Sequence, residues 1–277
     1  MKIKQLDEII GIALREDLPQ GDITSESCIP SRSSSEAAFL AKEGGVLAGM
    51  DVAQRVFKKI DKRLEFKKNF EDGQEFERGD ILGKVRGNSI SILKGERTAL
   101  NFLQRMSGIA TETKKFVLAL KGTNTKILDT RKTTPGLRML EKYAVKMGGG
   151  ENHRFNLSEM ILIKDNHLKI VGSVSEAVDR AKKKVKKRVK IEVETKNLEE
   201  VQEAVQIGAD MVMLDNMPLE KMEEVVAWAK GKVPIEVSGK VILKKIRDIA
   251  SLGVDYISVG RLTHSYKSLD ISLEFLD

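Results

Sequence analysis

Apolar positions along the first part of the chain predict a helix, several short strands and then a long helix. Residues 1–14 carry apolar side chains at helical spacing. Apolar pieces separated by glycine-rich turns follow and predict strands at Ala37–Ala41, Val46–Ala48, Leu64–Phe66, Ile81–Val85 and Ser89–Leu93. Apolar residues spaced three and four apart over Glu96–Leu120 predict one long helix, which could break near Gly108 and forms a natural boundary between domains.

The second part has a different rhythm, in which apolar runs alternate with amphipathic helical stretches. Each run ends in polar residues or glycine; the runs are Lys126–Leu128, Met160–Ile163, Val189–Val193, Met211–Leu214, Pro234–Val237 and Tyr256–Val259. Gly208 and Gly253 are expected to cap the helices that precede two of them. This alternation predicts parallel strands with right-handed crossovers. Because no run looks like an edge strand, we favour a β/α barrel over an open sheet.

Composition places the chain among ordinary globular proteins. It has 277 residues, 41% hydrophobic and 32% charged. Its apolar runs are far shorter than the roughly 20 residues of a membrane span, and its start lacks the apolar core of a signal peptide. The single cysteine, Cys28, excludes an internal disulfide and a cysteine-rich metal site. We therefore expect a cytoplasmic protein that does not bind membranes.

The net charge of +7 comes from one segment, because Lys182–Lys190 contains seven basic residues and no acid. This segment has two interpretations: a solvated helix end that leads into a strand, or a patch that binds the phosphate backbone of nucleic acid. Aromatic residues make up only 5% of the chain and no nucleic-acid-binding module is evident. We favour the solvated helix end and expect no nucleic-acid partner.

The candidate chemistry follows from the barrel, whose catalytic groups lie at the carboxyl ends of the strands. The residues in those places are Asp129, Arg131, Lys132, Lys164, Asp165, Asn166, Glu194, Asp215, Asn216, Ser238, Gly239, Gly260 and Arg261, and the connection after the first strand adds Arg138, Gly148–Gly150, His153 and Arg154. So many cations at one mouth would repel each other unless a multiply charged anion bound there. They indicate carboxylate or phosphate substrates.

Two smaller groups refine this prediction. Glu194 and Asp215, on consecutive strands, suit a hydrated Mg²⁺ bridging to phosphate, or hydrogen bonds to vicinal ribose hydroxyls. Ser238-Gly239 and Gly260 offer unhindered backbone N–H groups where barrels usually hold a phosphate. Taken singly, each of these residues is more often a surface ion pair, a structural histidine or a flexible loop. The functional interpretation is favoured because charged residues fall at the same end of every strand.

Several segments resemble the quinolinate phosphoribosyltransferase family, the decarboxylating nicotinate-nucleotide pyrophosphorylases. The most specific are Asp129-Thr-Arg-Lys-Thr-Thr-Pro-Gly-Leu-Arg138 and Gly148-Gly-Gly-Glu-Asn-His-Arg154. The others are Lys142-Tyr-Ala-Val, Lys164-Asp-Asn-His167, Glu192-Val-Glu194, Leu214-Asp-Asn216, Leu262-Thr-His-Ser265, Gly21-Asp-Ile-Thr24, Ala41-Lys-Glu-Gly-Gly45, Glu96-Arg-Thr-Ala-Leu-Asn101 and Gln104-Arg-Met-Ser-Gly-Ile-Ala110. The resemblance covers almost the whole chain.

The resemblance implies the fold and the assembly. The fold is α/β, with an N-terminal open-faced α/β sandwich at residues 1–107, on which 266–277 packs back, and an incomplete parallel α/β barrel at residues 108–265. The family forms homodimers, or hexamers built from dimers, in which the sandwich domain of one subunit covers the barrel mouth of the other. The implied reaction joins quinolinate to phosphoribosyl pyrophosphate and releases pyrophosphate and CO₂.

The resemblance also implies roles for single residues. Arg131, His153, Arg154 and Lys164 would hold the carboxylates of quinolinate, with Arg97 reaching in from the partner subunit. Lys132 and Lys164 would lie near the pyrophosphate, Glu194 and Asp215 would take the ribose hydroxyls and Mg²⁺, directly or through water or substrate, and Ser238, Gly239 and Gly260 would hold the 5′-phosphate. Arg138 and His264 belong to matching motifs and are further candidates for substrate binding. Lys240 and Arg261 depart from the family pattern and would add positive charge near the phosphate.

Other functions remain open at this point. A relative of the same architecture, linked to molybdenum transport, would use a different acceptor, but the full set of carboxylate-binding Arg and His positions argues against it. A nucleic-acid-binding protein would work through Lys182–Lys190. An anion-binding scaffold without turnover would bind phosphoribosyl pyrophosphate and release it unchanged.

Overall fold

The computed structural model describes residues 3–185 and 189–276. The α-helices are α1 (Ile3–Asp17), α2 (Ile23–Cys28), α3 (Met50–Ile60), α4 (Ser89–Ala119), α5 (Arg138–Met147), α6 (Asp165–Val171), α7 (Val174–Lys184), α8 (Leu198–Gln206), α9 (Leu219–Ala229), α10 (Ile246–Ser251) and α11 (Arg261–His264). The strands are β1 (Ser34–Ala41), β2 (Gly45–Val46), β3 (Glu65–Lys68), β4 (Glu75–Phe76), β5 (Ile81–Asn88), β6 (Lys126–Leu128), β7 (Ile161–Ile163), β8 (Ile191–Thr195), β9 (Met211–Asp215), β10 (Ile235–Ser238), β11 (Tyr256–Ser258) and β12 (Ile271–Leu276). In the ranges described, no helix is both long enough and apolar enough to span a bilayer.

The chain divides into two compact units. The first contains residues 3–114, 133–149 and 262–276, and the second contains 115–132 and 150–261. The strand at the carboxyl end, β12, pairs with β1 in the first unit. The domain bounds at 107/108 and 265/266 stay a prediction.

The first unit is built on an antiparallel sheet with strand order β12-β1-β5-β3. Its core contains the rings of Phe39, Phe57 and Phe66, whose centroids lie 5.7–6.1 Å apart. Phe39 comes from β1 and Phe57 from α3, and both are fully buried. The aromatic cluster therefore joins the amphipathic helix α3 to one face of the sheet.

The predicted strand at Ser89–Leu93 is wrong, because these residues begin helix α4. The side chain of Asn88, the last residue of β5, accepts a hydrogen bond of 3.0 Å from the backbone N–H of Ser91. It satisfies a donor that would otherwise be unpaired in the first helical turn. The strand therefore turns into the helix without a loop, and the alternating Ile90 and Ile92 are helical.

Helix α4 continues through Gly108, where a break was considered. A Cβ atom at this position would lie 2.2 Å from the backbone oxygen of Lys267. The glycine thus allows a close approach of two backbone segments within the first unit.

The second unit contains a six-stranded parallel sheet with the order β6-β11-β10-β9-β8-β7. Among the residues described, the ladders do not join β6 to β7. The predicted α/β fold with an incomplete parallel barrel is confirmed. On one face of the sheet, Val193, Val212, Val237 and Ile257 are buried completely, as expected for parallel strands covered by helices.

The predicted helix caps at Gly208 and Gly253 are confirmed, since both glycines have positive φ angles, 76° and 92°. After α8, the N–H of Gly208 bonds to Val205 and the N–H of Ala209 bonds to Ala204, which is a Schellman motif. Asp210 then accepts a hydrogen bond of 2.8 Å from the N–H of Ile191, where β8 begins. The turn thereby fixes the start of the neighbouring strand.

Candidate active site

Strand register places a set of polar side chains on one face of the parallel sheet. Glu194 of β8 is paired with Met213 of β9, so Asp215 lies on the same face, two residues nearer the carboxyl end. Asp215 is in turn paired with Ser238 of β10. The predicted carboxylates therefore share a face with the first residue of the predicted phosphate turn.

Lys164 and Glu194 form an ion pair at the carboxyl ends of β7 and β8. The Nζ atom lies 3.0 Å from Oε2 of Glu194, whose side chain is 7% exposed, whereas the lysine side chain is 45% exposed. The backbone N–H of Lys164 also donates to Nδ1 of His167, at 2.8 Å, so the lysine sits at the start of α6 with a fixed backbone. The pair offers a cation and a carboxylate next to each other at the mouth of the sheet.

Asn216 connects Asp215 with the turn after β10. Its amide nitrogen donates to Asp215 at 2.7 Å, and its backbone N–H donates to the carbonyl of Ser238 at 2.9 Å. A Cβ atom at Gly239 would lie 2.5 Å from the Asn216 side chain. Asn216 and Lys240 both adopt left-handed conformations, with φ of 51° and 47°. Two adjoining strand ends thus finish in strained turns, a feature that clusters at functional sites.

Arg131 and Arg154 belong to the same unit and are close enough to repel each other. Burial lowers the pKa of the Arg154 guanidinium, and the charge of Arg131 lowers it further. One guanidinium nitrogen of Arg154 donates to the carbonyl of Met160 at 2.9 Å. Two adjacent guanidinium groups are suited to bind a carboxylate or a phosphate.

Asp129 anchors the loop that carries His153 and Arg154. Its carboxylate is fully buried at the end of β6 and accepts hydrogen bonds from the His153 backbone N–H, at 2.9 Å, and from the Asn152 amide. The loop is therefore held against the sheet by a charge-assisted contact.

Sequence reasoning missed Glu236 and gave no role to Glu192, although both are fully buried in the second unit. His153 Nε2 lies 3.0 Å from Glu192 Oε2 and 3.4 Å from Glu236 Oε2. The Ser258 hydroxyl donates to the other oxygen of Glu236. An acidic residue inside an otherwise apolar strand, as in Ile191–Val193 and Ile235–Val237, is the signal that could have revealed them.

Burial and the surrounding charges shift the pKa values in this cluster. Burial raises the pKa of Glu192 to about 7, with a contribution from Glu236 and opposition from His153. Burial opposes the charged form of the His153 ring, whereas hydrogen bonds to Glu192 and Glu236 favour it. The backbone N–H of Arg154 donates to Nδ1 of His153 at 2.8 Å, which places the ring proton on Nε2.

The remaining predicted residues fall in both units. Lys132 is exposed just after β6, Gly260 and Arg261 follow β11, and all three belong to the second unit. The first unit carries Arg97, exposed on α4, Arg138, whose Nε donates to Thr133 at 2.9 Å, and His264, which contacts Ser265. Within the basic segment Lys182–Lys190, residues 186–188 lie outside those described.

The fold and this site define a class. A parallel α/β barrel whose strands end in cations and carboxylates at one edge is typical of barrel enzymes that act on phosphorylated, anionic substrates.

The comparisons with known proteins name the family. The family described as "Quinolinate phosphoribosyl transferase, C-terminal domain" matches residues 109–274, and the corresponding N-terminal domain matches residues 22–107. This chain belongs to the quinolinate phosphoribosyltransferase family.

Individual relatives agree with this assignment. The chain is 42% identical to the probable nicotinate-nucleotide pyrophosphorylase [carboxylating] of Bacillus subtilis over 270 residues, 98% of this chain and 93% of that protein. It is also 42% identical to quinolinate phosphoribosyltransferase [decarboxylating] 2 of Nicotiana glauca, over 97% of this chain and 82% of the relative. The structure of NadC from Streptococcus pyogenes superimposes with a TM-score of 0.96 at 43% identity, covering 100% of this chain and 99% of that one. The predicted family and enzyme activity are confirmed.

Proposed function

We propose that the reaction of this family takes place at the carboxyl ends of β6 to β11. The chain transfers the phosphoribosyl group of phosphoribosyl pyrophosphate to quinolinate with decarboxylation, which gives nicotinate mononucleotide, pyrophosphate and CO₂. The observation that carries the location is the ion pair of Lys164 and Glu194, because both residues stand where their strands end, on the edge that also carries Asp215.

The acceptor, quinolinate, would be held by its two carboxylates. The neighbouring guanidinium groups of Arg131 and Arg154 support this role, since a bound dianion would relieve their mutual repulsion. Lys164 adds a third cation, and Arg97 would come from a partner subunit. The site would therefore select acceptors with two carboxylates over those with one or none.

The donor, phosphoribosyl pyrophosphate, would lie across β8 to β11. Lys132 and Lys164 would hold the pyrophosphate, and Glu194 and Asp215 the ribose hydroxyls. The turns after β10 and β11 would hold the 5′-phosphate through Ser238, Gly239 and Gly260, with Lys240 and Arg261 adding positive charge. The closeness of Asn216 to Gly239 supports this arrangement, because Asn216 also bonds to Asp215 and so links that carboxylate to the turn proposed to bind the phosphate. Arg138 and His264 are further candidates for substrate contacts.

The donor set also fits Mg²⁺. Glu194 and Asp215 supply carboxylate oxygens, the ligands that Mg²⁺ prefers. Because Lys164 already neutralises Glu194, these carboxylates would hold the ion together with bound substrate more firmly than without it. When bound, Mg²⁺ would stabilise the growing negative charge of the pyrophosphate.

The protein's part in the chemistry is orientation and charge. The bond from the ribose C1 to the pyrophosphate oxygen breaks with its electron pair on oxygen, and Lys132 and Lys164 stabilise that charge. The ring nitrogen of quinolinate gives its electron pair to C1 and becomes a pyridinium. The positive nitrogen then stabilises the carbanion formed when the adjacent carboxylate leaves as CO₂, and this carbon takes a proton from solvent. The scheme needs no covalent intermediate with the protein.

Competition between acceptors tests this function. Purified enzyme is given phosphoribosyl pyrophosphate with quinolinate, nicotinate or nicotinamide, and both pyrophosphate and CO₂ are measured. We expect turnover with quinolinate only, and equal amounts of the two products. Turnover of nicotinate at a similar rate, or pyrophosphate release without CO₂, would contradict the proposal.

The proposed assembly is a cytoplasmic homodimer, or a hexamer of dimers, in which subunits share each site. We expect that an inactive Arg97→Ala chain mixed with an inactive Lys164→Ala chain regains part of the activity, because one site in the mixed dimer has both residues intact. Subunit exchange is confirmed by mass spectrometry. If exchange occurs and no activity returns, Arg97 does not act across the dimer.

A further inference from the structure

Four side chains from different parts of the second unit meet at its buried cluster, which we call the acid cluster: His153, Glu192, Glu236 and Ser258. Their contacts run from Ser258 on β11 to Glu236 on β10, and from the two glutamates to the ring of His153. Both glutamates are fully buried, and the histidine side chain is 7% exposed. The cluster is therefore almost closed to solvent.

The ring of His153 uses both of its nitrogens inside the protein. Nε2 faces the carboxylates of Glu192 and Glu236 at 3.0 and 3.4 Å, and Nδ1 accepts the backbone N–H of Arg154 at 2.8 Å. A neutral imidazole has one donor and one acceptor nitrogen. With Nε2 as donor and Nδ1 as acceptor, the ring has neither nitrogen left for a substrate carboxylate.

The ring and a second contact fix Arg154 at two points. His153 holds its backbone N–H, and the carbonyl of Met160 accepts from one guanidinium nitrogen at 2.9 Å. The charge of Arg131 lowers the pKa of the Arg154 guanidinium, so the two cations repel each other. A rotation of the His153 ring would release one of the two anchors.

We propose that Glu236, aligned by Ser258, acts with Glu192 as a positioning pair that fixes the His153 ring and, through it, Arg154. His153 is then a positioning residue that does not touch quinolinate. A buried carboxylate that accepts a hydrogen bond from one nitrogen of a histidine generally fixes both the orientation and the tautomer of the ring. This inference rests on the proposed function only in assigning Arg154 to the acceptor.

Kinetic measurements on two variants test the proposal. Ser258→Ala removes the hydroxyl that aligns Glu236, and Glu236→Gln keeps the acceptor for Ser258 but removes the charge opposite His153. In both variants we expect the KM for quinolinate to rise about tenfold, the factor that one lost hydrogen bond produces, with the KM for phosphoribosyl pyrophosphate nearly unchanged. Thr125→Ala is the matched control, because it removes a buried hydroxyl bond of 2.7 Å to Val254 at the amino end of β6.

The outcomes of this comparison are distinct. If the cluster were merely structural, the variants and Thr125→Ala would lose stability alike and both KM values would shift together, or not at all. An unchanged KM for quinolinate in folded Ser258→Ala and Glu236→Gln overturns the proposal, as does an equal rise in both KM values.

Spectroscopy of the wild-type ring provides a test that needs no stable variant. The chain has three histidines, so ¹⁵N labelling of histidine gives three ring systems, and His153→Gln assigns one of them. We expect the His153 ring to carry its proton on Nε2, with Nδ1 unprotonated, both before and after saturation with quinolinate. A proton on Nδ1, or loss of the contact from Nε2 to the carboxylates when quinolinate binds, overturns the positioning role. If wild-type enzyme fails to turn over quinolinate, the proposed function fails, and the ring spectrum still decides the role of the acid cluster.

Discussion

Replacing Lys164 with methionine separates the stabilising role of its ion pair from its role in the reaction. The lysine side chain is 45% exposed, and such a pair contributes at most about 1 kcal/mol by itself. The variant also leaves Glu194, 7% exposed, without its cation. We expect the free energy of unfolding to fall by about 1–3 kcal/mol, the range for a buried acceptor that loses its partner. The protein would remain folded, because domains are stable by about 5–15 kcal/mol.

The effect on the reaction is expected to be larger. Removing one positioned group that stabilises charge in a transition state lowers kcat by about 10²–10³, or about 2.7–4 kcal/mol. The assay is the initial rate of labelled CO₂ release from carboxyl-labelled quinolinate at saturating substrates. Urea unfolding of the same samples gives the stability change.

Lys126→Met is the matched control for this experiment. Lys126 begins β6, at the opposite end of the strand from the site, and its Nζ lies 2.7 Å from Glu151, with side chains 55% and 49% exposed. The control loses an ion pair of similar length but greater exposure, and its rate should change by less than about twofold. Equal loss of rate in the two variants, or nearly full activity in Lys164→Met, would refute the catalytic role of Lys164.

Two further predictions concern stability. Gly108→Ala places a methyl group 2.2 Å from the carbonyl oxygen of Lys267, so we expect the free energy of unfolding to fall by about 1–3 kcal/mol. Gly11→Ala is the control and should be neutral or stabilising, because the nearest neighbours of its new methyl group are the flexible ends of Arg15 and Lys59. Urea unfolding compares the two variants, and equal effects would contradict the close approach at Gly108. Hydrogen bonds from Arg63 lower the pKa of Asp61 to about 2, so Asp61 contributes stability above pH 4 that is lost as the pH falls towards 2. Asp61→Asn should destabilise the protein at pH 5 but not at pH 2, as measured by unfolding at both values.

The six strands of the second unit could be predicted because each has a local signal. A short β-branched run is followed by polar residues or glycine, and burial on both faces excludes other polar residues from most of its length. The turns at Gly208 and Gly253 add a signal of their own, since a positive φ favours glycine. Strand positions and strand-end residues therefore follow from nearest neighbours in the sequence.

The start of α4 and the acid cluster could not be predicted in this way. In Ser89–Leu93, alternating apolar residues fit a strand or a helix equally well, and the cap from Asn88 decides between them. Glu236 and Ser258 are 22 residues apart in the sequence, and His153 and Glu192 are 39 apart. These partners are adjacent only once the sheet order β11-β10-β9-β8 exists, so no local pattern contains them.

Strand β8 carries two buried carboxylates on one of its faces. Glu192 and Glu194 are two residues apart and point to the same side, so the strand presents one carboxylate to the acid cluster and one to Lys164. The charge of Glu192 also favours the charged form of Arg154, opposing the effects of burial and of Arg131. Removing the charge of Glu192 would therefore raise the cost of holding the two guanidinium groups together. Glu192 and the two half-buried guanidinium groups of Arg131 and Arg154 are thus coupled by charge within the second unit.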